Sequence, residues 1–234
     1  MSKPRYEQVG VAMTCRSFAE YKRMFALEES QLGEGRILDI AGGASSFTAE
    51  ASSRGFRAQA ADPLYDMGRE AIFEHGRAEI ETSTAKLEKL QEHFDWSYYG
   101  DPVSHKEGRI ASLNAFIADY SAPDAGERYK SGRLPQLPFD DGQFRLVLCS
   151  HFLFLYHEQF DYSFHRDAVR EMLRVCSPGG EIRIYPVFTL KWDRYPHMDQ
   201  LMNDLKELGA EAAFIPSGLP FIPGSNELLL IVKK

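Results

Sequence analysis

A run of small residues, Ala41-Gly42-Gly43-Ala44-Ser45-Ser46, follows the apolar stretch Arg36-Ile37-Leu38-Asp39-Ile40 and leads into a helix-compatible segment from about Ser46 to Arg54. A strand ending in a turn without bulky side chains lets the backbone approach a ligand closely. The helix behind it presents unpaired N–H groups to the same place. About 20 positions after Gly43, Asp62-Pro63 closes a second short apolar stretch, Phe56 to Ala61. An acid at that distance, at the end of the second strand, can accept both hydroxyls of a ribose. A double glycine and an Asp-Pro are each ordinary turn formers. Strand, turn, helix, strand and terminal acid in that order point to a nucleotide-type site. A nicotinamide site would want the spacing G-x-G-x-x-G, which Gly42-Gly43-Ala44-Ser45-Ser46 lacks.

Reaction chemistry is best sought where Cys149-Ser150-His151-Phe152-Leu153-Phe154-Leu155-Tyr156-His157 leaves the strand Phe144 to Cys149. In an open α/β sheet, ligands sit at the carboxyl ends of the strands. His151 is a candidate general base, since an ordinary imidazole titrates near neutrality; a packing or capping role fits it equally. Tyr156 and His157 are weaker candidates for contacting an acceptor. Tyr98 and Tyr99, beside the turn Gly100-Asp101-Pro102, and Tyr185 after the fifth strand complete a candidate aromatic rim. Arg183 and Arg194 would suit an acidic substrate, or simply solvent. The histidines are scattered without helix-ligand spacing beside a carboxylate, so no metal is expected.

These residues need a scaffold of alternating strands and helices. After the first strand–turn–helix–strand unit, strands are predicted at Phe144 to Cys149, Glu181 to Val187, Ala212 to Ile215 and Leu228 to Val232. Helices are predicted at Arg166 to Val175, from its apolar face, and through Met198, Leu201, Met202, Leu205 and Leu208, closed by Gly209. Residues 1–32 read as a helical lead-in. Residues from about 67 to 130 read as a helical and aromatic insert, too long for a plain connection and placed to act as a lid. Within it, Glu70 to Phe94 and Arg109 to Tyr120 carry helical spacing. Such alternation predicts a single α/β domain over 1–234, a doubly wound, mostly parallel sheet with helices on both faces.

Ile37 to Ser45 resembles the first motif of class I S-adenosylmethionine-dependent methyltransferases, an apolar strand with an Asp and a glycine-rich turn. Asp62 matches the acid ending their second strand. Leu137-Pro138-Phe139-Asp140-Asp141-Gly142-Gln143-Phe144-Arg145-Leu146-Val147 looks like their approach to the fourth strand. Arg174-Val175-Cys176-Ser177-Pro178-Gly179-Gly180 is similar to their turn before the fifth. The resemblance implies a seven-stranded sheet with its last strand antiparallel, and S-adenosyl-L-methionine as cofactor. It implies Ala41, Gly42 and Gly43 at the methionine part, Asp62 with Pro63 at the ribose, Asp39 orienting the turn or binding the amino group, Leu134 by the adenine and Ser150 at the end of the fourth strand. Tyr6, Arg16 or Tyr21 would meet the cofactor carboxylate. Two glycine positions of the turn are here Ala41 and Ser45, and Arg133 stands where the family often has an acid.

Composition narrows the partner. The chain has 234 residues with 27 basic and 34 acidic side chains, a net charge of −7, which disfavours nucleic-acid phosphate as a ligand. No apolar run approaches the roughly 20 residues of a membrane span. The first residues carry no apolar leader core, so a cytoplasmic location is expected. Cys15, Cys149 and Cys176 are odd in number and far apart, as in a reducing compartment. The expected function is methyl transfer to a small-molecule acceptor. A protein that binds the cofactor without transfer, or an RNA methyltransferase, is the alternative.

Overall fold

A computed structural model describes Gln8 and residues 10–234. Its centre is built from strands whose side chains are apolar on both faces, as a sheet covered on both sides requires. β1 (Arg36–Ile40) pairs in parallel with β2 (Arg57–Ala61) on one side and with β4 (Phe144–Ser150) on the other. β3 (Tyr129–Lys130) adds two residues beside β2, and β5 (Cys176–Tyr185) lies parallel to β4. β7 (Glu227–Val232) inserts antiparallel between β5 and β6 (Glu211–Pro216). The seven strands run in the order β3-β2-β1-β4-β5-β7-β6, with the chain's last strand antiparallel as expected. β1 and β4 sit side by side where the order reverses, the crevice in which open α/β sheets take ligands.

Alternation along β1 assigns the two layers. Leu38 and Ile40 join Val147, Ile182 and Ile184 beneath α7 (Tyr162–Val175) and α8 (Met198–Glu207), through Ala168, Met172, Leu201 and Leu205. Ile37 faces the other way with Leu146 and Leu148, under α1 (Phe18–Met24) and α3 (Phe47–Ser53), where Tyr21 and Phe47 stack at 4.4 Å. Asp161 starts α7 by accepting from the Phe164 N–H at 2.9 Å.

Several elements depart from the sequence expectation. Among the described residues of the lead-in, α1 and α2 (Glu29–Leu32) are the helical stretches. Ser17-Phe18-Ala19-Glu20 is a capping box. Ser17 accepts from the Glu20 N–H and Glu20 accepts from the Ser17 N–H, so the helix begins there, and residues 10–16 before it run as irregular chain. Tyr6 lies outside the described residues. The expected insert consists of α4 (Arg69–Lys89), α5 (Pro102–Tyr120) and α6 (Ala125–Arg128), and it ends in a sheet strand, β3. α5 starts seven residues earlier than its predicted Arg109, because Asp101 caps Ser104 N–H at 2.7 Å and Pro102 occupies the first turn. Pro178-Gly179-Gly180 does not precede β5 but bulges within it: Cys176 faces Phe144, and pairing resumes with Glu181 opposite Leu146. No helix among the described residues is long and apolar enough to cross a membrane.

Candidate active site

The turn after β1 is shaped by its small residues. Ala41 has φ +55° and Gly43 φ +52°, so two left-handed residues turn the chain sharply at the strand end. Ala41 adopts this conformation at a cost of about 1 kcal/mol that glycine would avoid. Ser45, at the other replaced glycine position, is not left-handed. Its hydroxyl accepts from the Arg16 N–H at 3.2 Å and reaches the Thr14 carbonyl at 3.2 Å, stitching the chain before α1 onto the turn. A Cβ on Gly42 would sit 2.9 Å from Asp39 Oδ2 and 3.1 Å from the Tyr65 hydroxyl, so only glycine fits there.

Two acids support this turn. Asp39 is buried beneath it and accepts from the Tyr21 hydroxyl at 3.0 and 3.1 Å. Burial raises Asp39 well above the usual carboxylate range, against the Tyr21 hydrogen bond. Asp62 spans the crevice, taking the Gly43 N–H on one oxygen and the Leu64 N–H on the other, both at 2.9 Å. Burial raises Asp62 too, opposed by those two donors.

A cavity of about 340 Å³ opens over the turn. Ala41, Gly43, Asp62, Pro63, Leu134 and Ser150 line it, with Gly132, Arg133 and Phe152. Arg133 is exposed and stands where the family pattern often has an acid. Asp39 and Gly42 lie just beneath the lining and hold it. Tyr21 lines neither this cavity nor its neighbour; it serves Asp39.

A second cavity, about 100 Å³, adjoins the first. Ala12, Met13, Thr14 and His151 line both and form the wall between them. More of its lining comes from α4 (Ile80, Ser83, Leu87), from α5 (His105, Arg109) and from Leu155, Tyr156, Trp192 and Phe221. Arg16 lines this second cavity and not the first. Of the five residues expected to meet an acceptor, Tyr156 lines it, and its hydroxyl accepts the Ala12 N–H at 3.0 Å. Tyr99 lies behind the wall, donating to Glu20 at 2.7 Å. Tyr98 packs on Tyr99 and under the Arg23 guanidinium. His157 packs edge-on to Tyr195. Tyr185 is buried, its hydroxyl bonded to the Leu219 carbonyl and Ser225. Arg183 is likewise engaged, with Glu181 and the carbonyls of Phe25 and Ala26, and Arg194 pairs with Glu227.

His151 stands at the junction with φ +50°, its N–H on the Tyr185 carbonyl at 2.6 Å and its Nδ1 3.0 Å from Ser150 Oγ. Burial, then the charges of Arg16 and Arg109, hold its pKa well below the ordinary imidazole value, so the neutral ring is the resting form. Sequence reasoning missed Met13 and Thr14, which carry no periodicity, and His105 and Arg109, whose i, i+4 spacing on one helix face was hidden by the late start predicted for α5. Among the described residues, no three His, Cys, Asp or Glu are grouped to hold a metal.

A methyltransferase domain family matches residues 110–184. An uncharacterized protein of Methanocaldococcus jannaschii is 31% identical over 217 residues, 92% of this chain and 93% of its own length. Among solved structures, a TehB-like S-adenosylmethionine-dependent methyltransferase of Corynebacterium glutamicum superposes with a TM-score of 0.46 at 15% identity, covering 86% of this chain and 80% of that one. A Haemonchus contortus phosphoethanolamine N-methyltransferase, in complex with phosphomonomethylethanolamine and S-adenosylhomocysteine, gives 0.41 at 13% identity, over 84% of this chain and 38% of that one. The chain belongs to one family with the Methanocaldococcus protein, and its residues 110–184 match a methyltransferase domain. The cofactor implied by the sequence resemblance is S-adenosylmethionine. The residues over the turn fit it: a cradle at Gly42 that a Cβ would fill, small residues facing the cavity, and the Asp62 carboxylate at its edge.

Proposed function

We propose that this enzyme methylates a small-molecule acceptor seated in the second cavity. The observation that carries the reading is the shared wall: Ala12 to Thr14 and His151 face both cavities, so a donor in one and an acceptor in the other meet at His151. The cofactor supplies a methyl group already activated by its sulfonium. The chain's work is to bind, to align and to exclude water. Ala41 and Gly43 offer backbone to the methionine part, Asp62 its carboxylate to the ribose, and Leu134 a buried apolar contact for the base. Pinning of Ala12 by Tyr156 holds the partition in place. His151 begins neutral, as a base must, and its Nε2 carries no hydrogen bond among the described residues. An acceptor whose proton must leave can give it to that nitrogen.

Calorimetry with S-adenosylmethionine and S-adenosylhomocysteine tests the donor half, and mass-spectrometric detection of S-adenosylhomocysteine formed from mixed small-molecule acceptors tests the transfer. Asp62→Ala is expected to weaken cofactor binding by about tenfold or more, the loss of charge-assisted hydrogen bonds. Wild-type affinity in that variant would remove Asp62 from the cofactor site. Binding without product from any acceptor would leave a cofactor-binding protein.

A further inference from the structure

The second cavity contains a charge that the fold itself does not answer. Arg16 is only 8% exposed. Its guanidinium donates to the Thr14 hydroxyl, and among the described residues no carboxylate pairs with it. Arg109 differs: it meets Glu20 at 2.6 Å and the Cys15 carbonyl at 2.8 Å. Burial alone would raise Glu20, but Arg109 and then Arg16 outweigh it and hold the carboxylate at about 2. Glu20 is fully engaged by Arg109, the Tyr99 hydroxyl and the Ser17 N–H. Two guanidinium groups and one carboxylate leave one positive charge facing the cavity.

His105 adds a second donor. It is 5% exposed, stacks on Phe221 and has its Nε2 3.1 Å from Arg109 Nη2. A guanidinium nitrogen only donates, so Nε2 accepts. The ring is neutral, held to about 2 by burial, Arg109 and Arg16. A neutral ring that accepts at Nε2 carries its proton on Nδ1. That Nδ1 is buried without a partner, although buried donors are nearly always paired. Much of the remaining lining is apolar, with Ile80, Leu87, Phe94, Leu155 and Trp192.

We infer that the acceptor is a small carboxylic acid with an aromatic-sized apolar body, its carboxylate on Arg16 and the His105 Nδ1–H and its body among Ile80, Leu87 and Trp192. Naming this ligand the acceptor rests on the methyl transfer proposed above; the anion site does not. A guanidinium and an N–H donor in the lining of one cavity would together select a charged oxygen pair over a neutral amide, because only the anion answers the buried charge.

The test is calorimetry on protein saturated with S-adenosylhomocysteine at pH 7.5. The probes are phenylacetate, cinnamate and indole-3-acetate, each against its primary amide. In at least one pair the acid should bind at least tenfold more tightly. Arg16→Met should remove that preference and Arg16→Lys keep part of it, with S-adenosylhomocysteine affinity in both within twofold of wild type. The inference fails if no acid binds, if amides bind as well as acids, or if the preference survives Arg16→Met. It also fails if Arg16→Met loses S-adenosylhomocysteine instead, which would give Arg16 to the cofactor's own carboxylate. Should Arg16→Met not fold, the wild-type pairs and Arg16→Lys still decide. Arg16-dependent acid binding without any methylated product would sink the transfer reading and leave the anion site standing.

Discussion

Acid should separate the wild-type protein from His105→Gln in a way that a merely structural substitution would not. In the folded chain His105 is held to about 2 by burial first and by Arg109 and Arg16 after it. In the unfolded chain it titrates near 6.5. Below pH 6.5 the unfolded state takes up a proton that the native state refuses, so the stability tied to this neutral ring is complete above pH 6.5 and is lost as pH falls. Each pH unit is worth about 1.4 kcal/mol, so the step from pH 6.5 to 5.0 costs the wild type about 2 kcal/mol through His105 alone. Gln can accept from Arg109 and donate where Nδ1–H does, yet it does not titrate. His151 contributes a loss of the same sign, and Asp39 and Asp62, raised by burial, contribute in the opposite sense. All three are common to both proteins and cancel in the comparison. Urea unfolding followed by tryptophan fluorescence at pH 8.0, 6.5 and 5.0 gives the difference directly. The variant is expected to be the less stable at pH 8.0, having lost the ring stacked on Phe221, and to recover about 2 kcal/mol relative to wild type by pH 5.0. A difference that stays constant over this range would refute the neutral, buried His105, and the assignment of its proton to Nδ1 with it.

Two further substitutions probe the wall and the turn. Gly42→Ala places a methyl group against Asp39, Tyr65 and Ala60 at 2.9, 3.1 and 3.3 Å. It should lower stability by about 1–3 kcal/mol, read from the urea midpoint, and weaken cofactor binding in the same protein. Tyr156→Phe frees the Ala12 N–H; about 1 kcal/mol of stability should go, and KM for both ligands should rise more than kcat falls. Unchanged KM values would show that the 12–14 segment holds its place without that hydroxyl.

The part of the fold legible in the sequence is the part whose signals are local. The apolar run of β1, the small-residue turn and the acid after β2 sit where the pattern predicts, because alternation and turn chemistry act over a few residues. The stripe of α7 and that of α8 read equally well, since each buries one face. β3 escaped because two residues carry no periodicity. The 12–16 stretch escaped because tertiary contacts alone fix it: Ser45, Tyr156 and Ser46 hold it from far along the chain. Asp101-Pro102 reads as a turn and also as a helix start, and taking the first reading hid the His105–Arg109 pair. The aromatic rim expected from Tyr98, Tyr99 and Tyr185 dispersed for a shared reason. A tyrosine's type does not say which face of a strand or loop it takes, and Tyr99 and Tyr185 turned inward to buried polar partners. Arg16 was assigned by resemblance to the cofactor, whereas its side chain lines the neighbouring cavity.

The two cavities draw on different stretches of chain. One is lined mainly by the ends of β1, β2 and β4 and the Gly132 to Leu134 loop, with His75 of α4; the other by the Ile80 to Leu87 part of α4, by α5 and by the residues around Trp192 and Phe221. A substitution at Ile80, Leu87 or Trp192 reshapes the second and leaves the lining of the first intact. On the proposed division of donor and acceptor, descent with such changes retunes what is methylated while the donor's seat is inherited whole. Ala12, Met13, Thr14 and His151 are the exception, because a change in any of them is felt on both sides. Lineages with different acceptors should therefore diverge first along the inner faces of α4 and α5, and last at this four-residue partition.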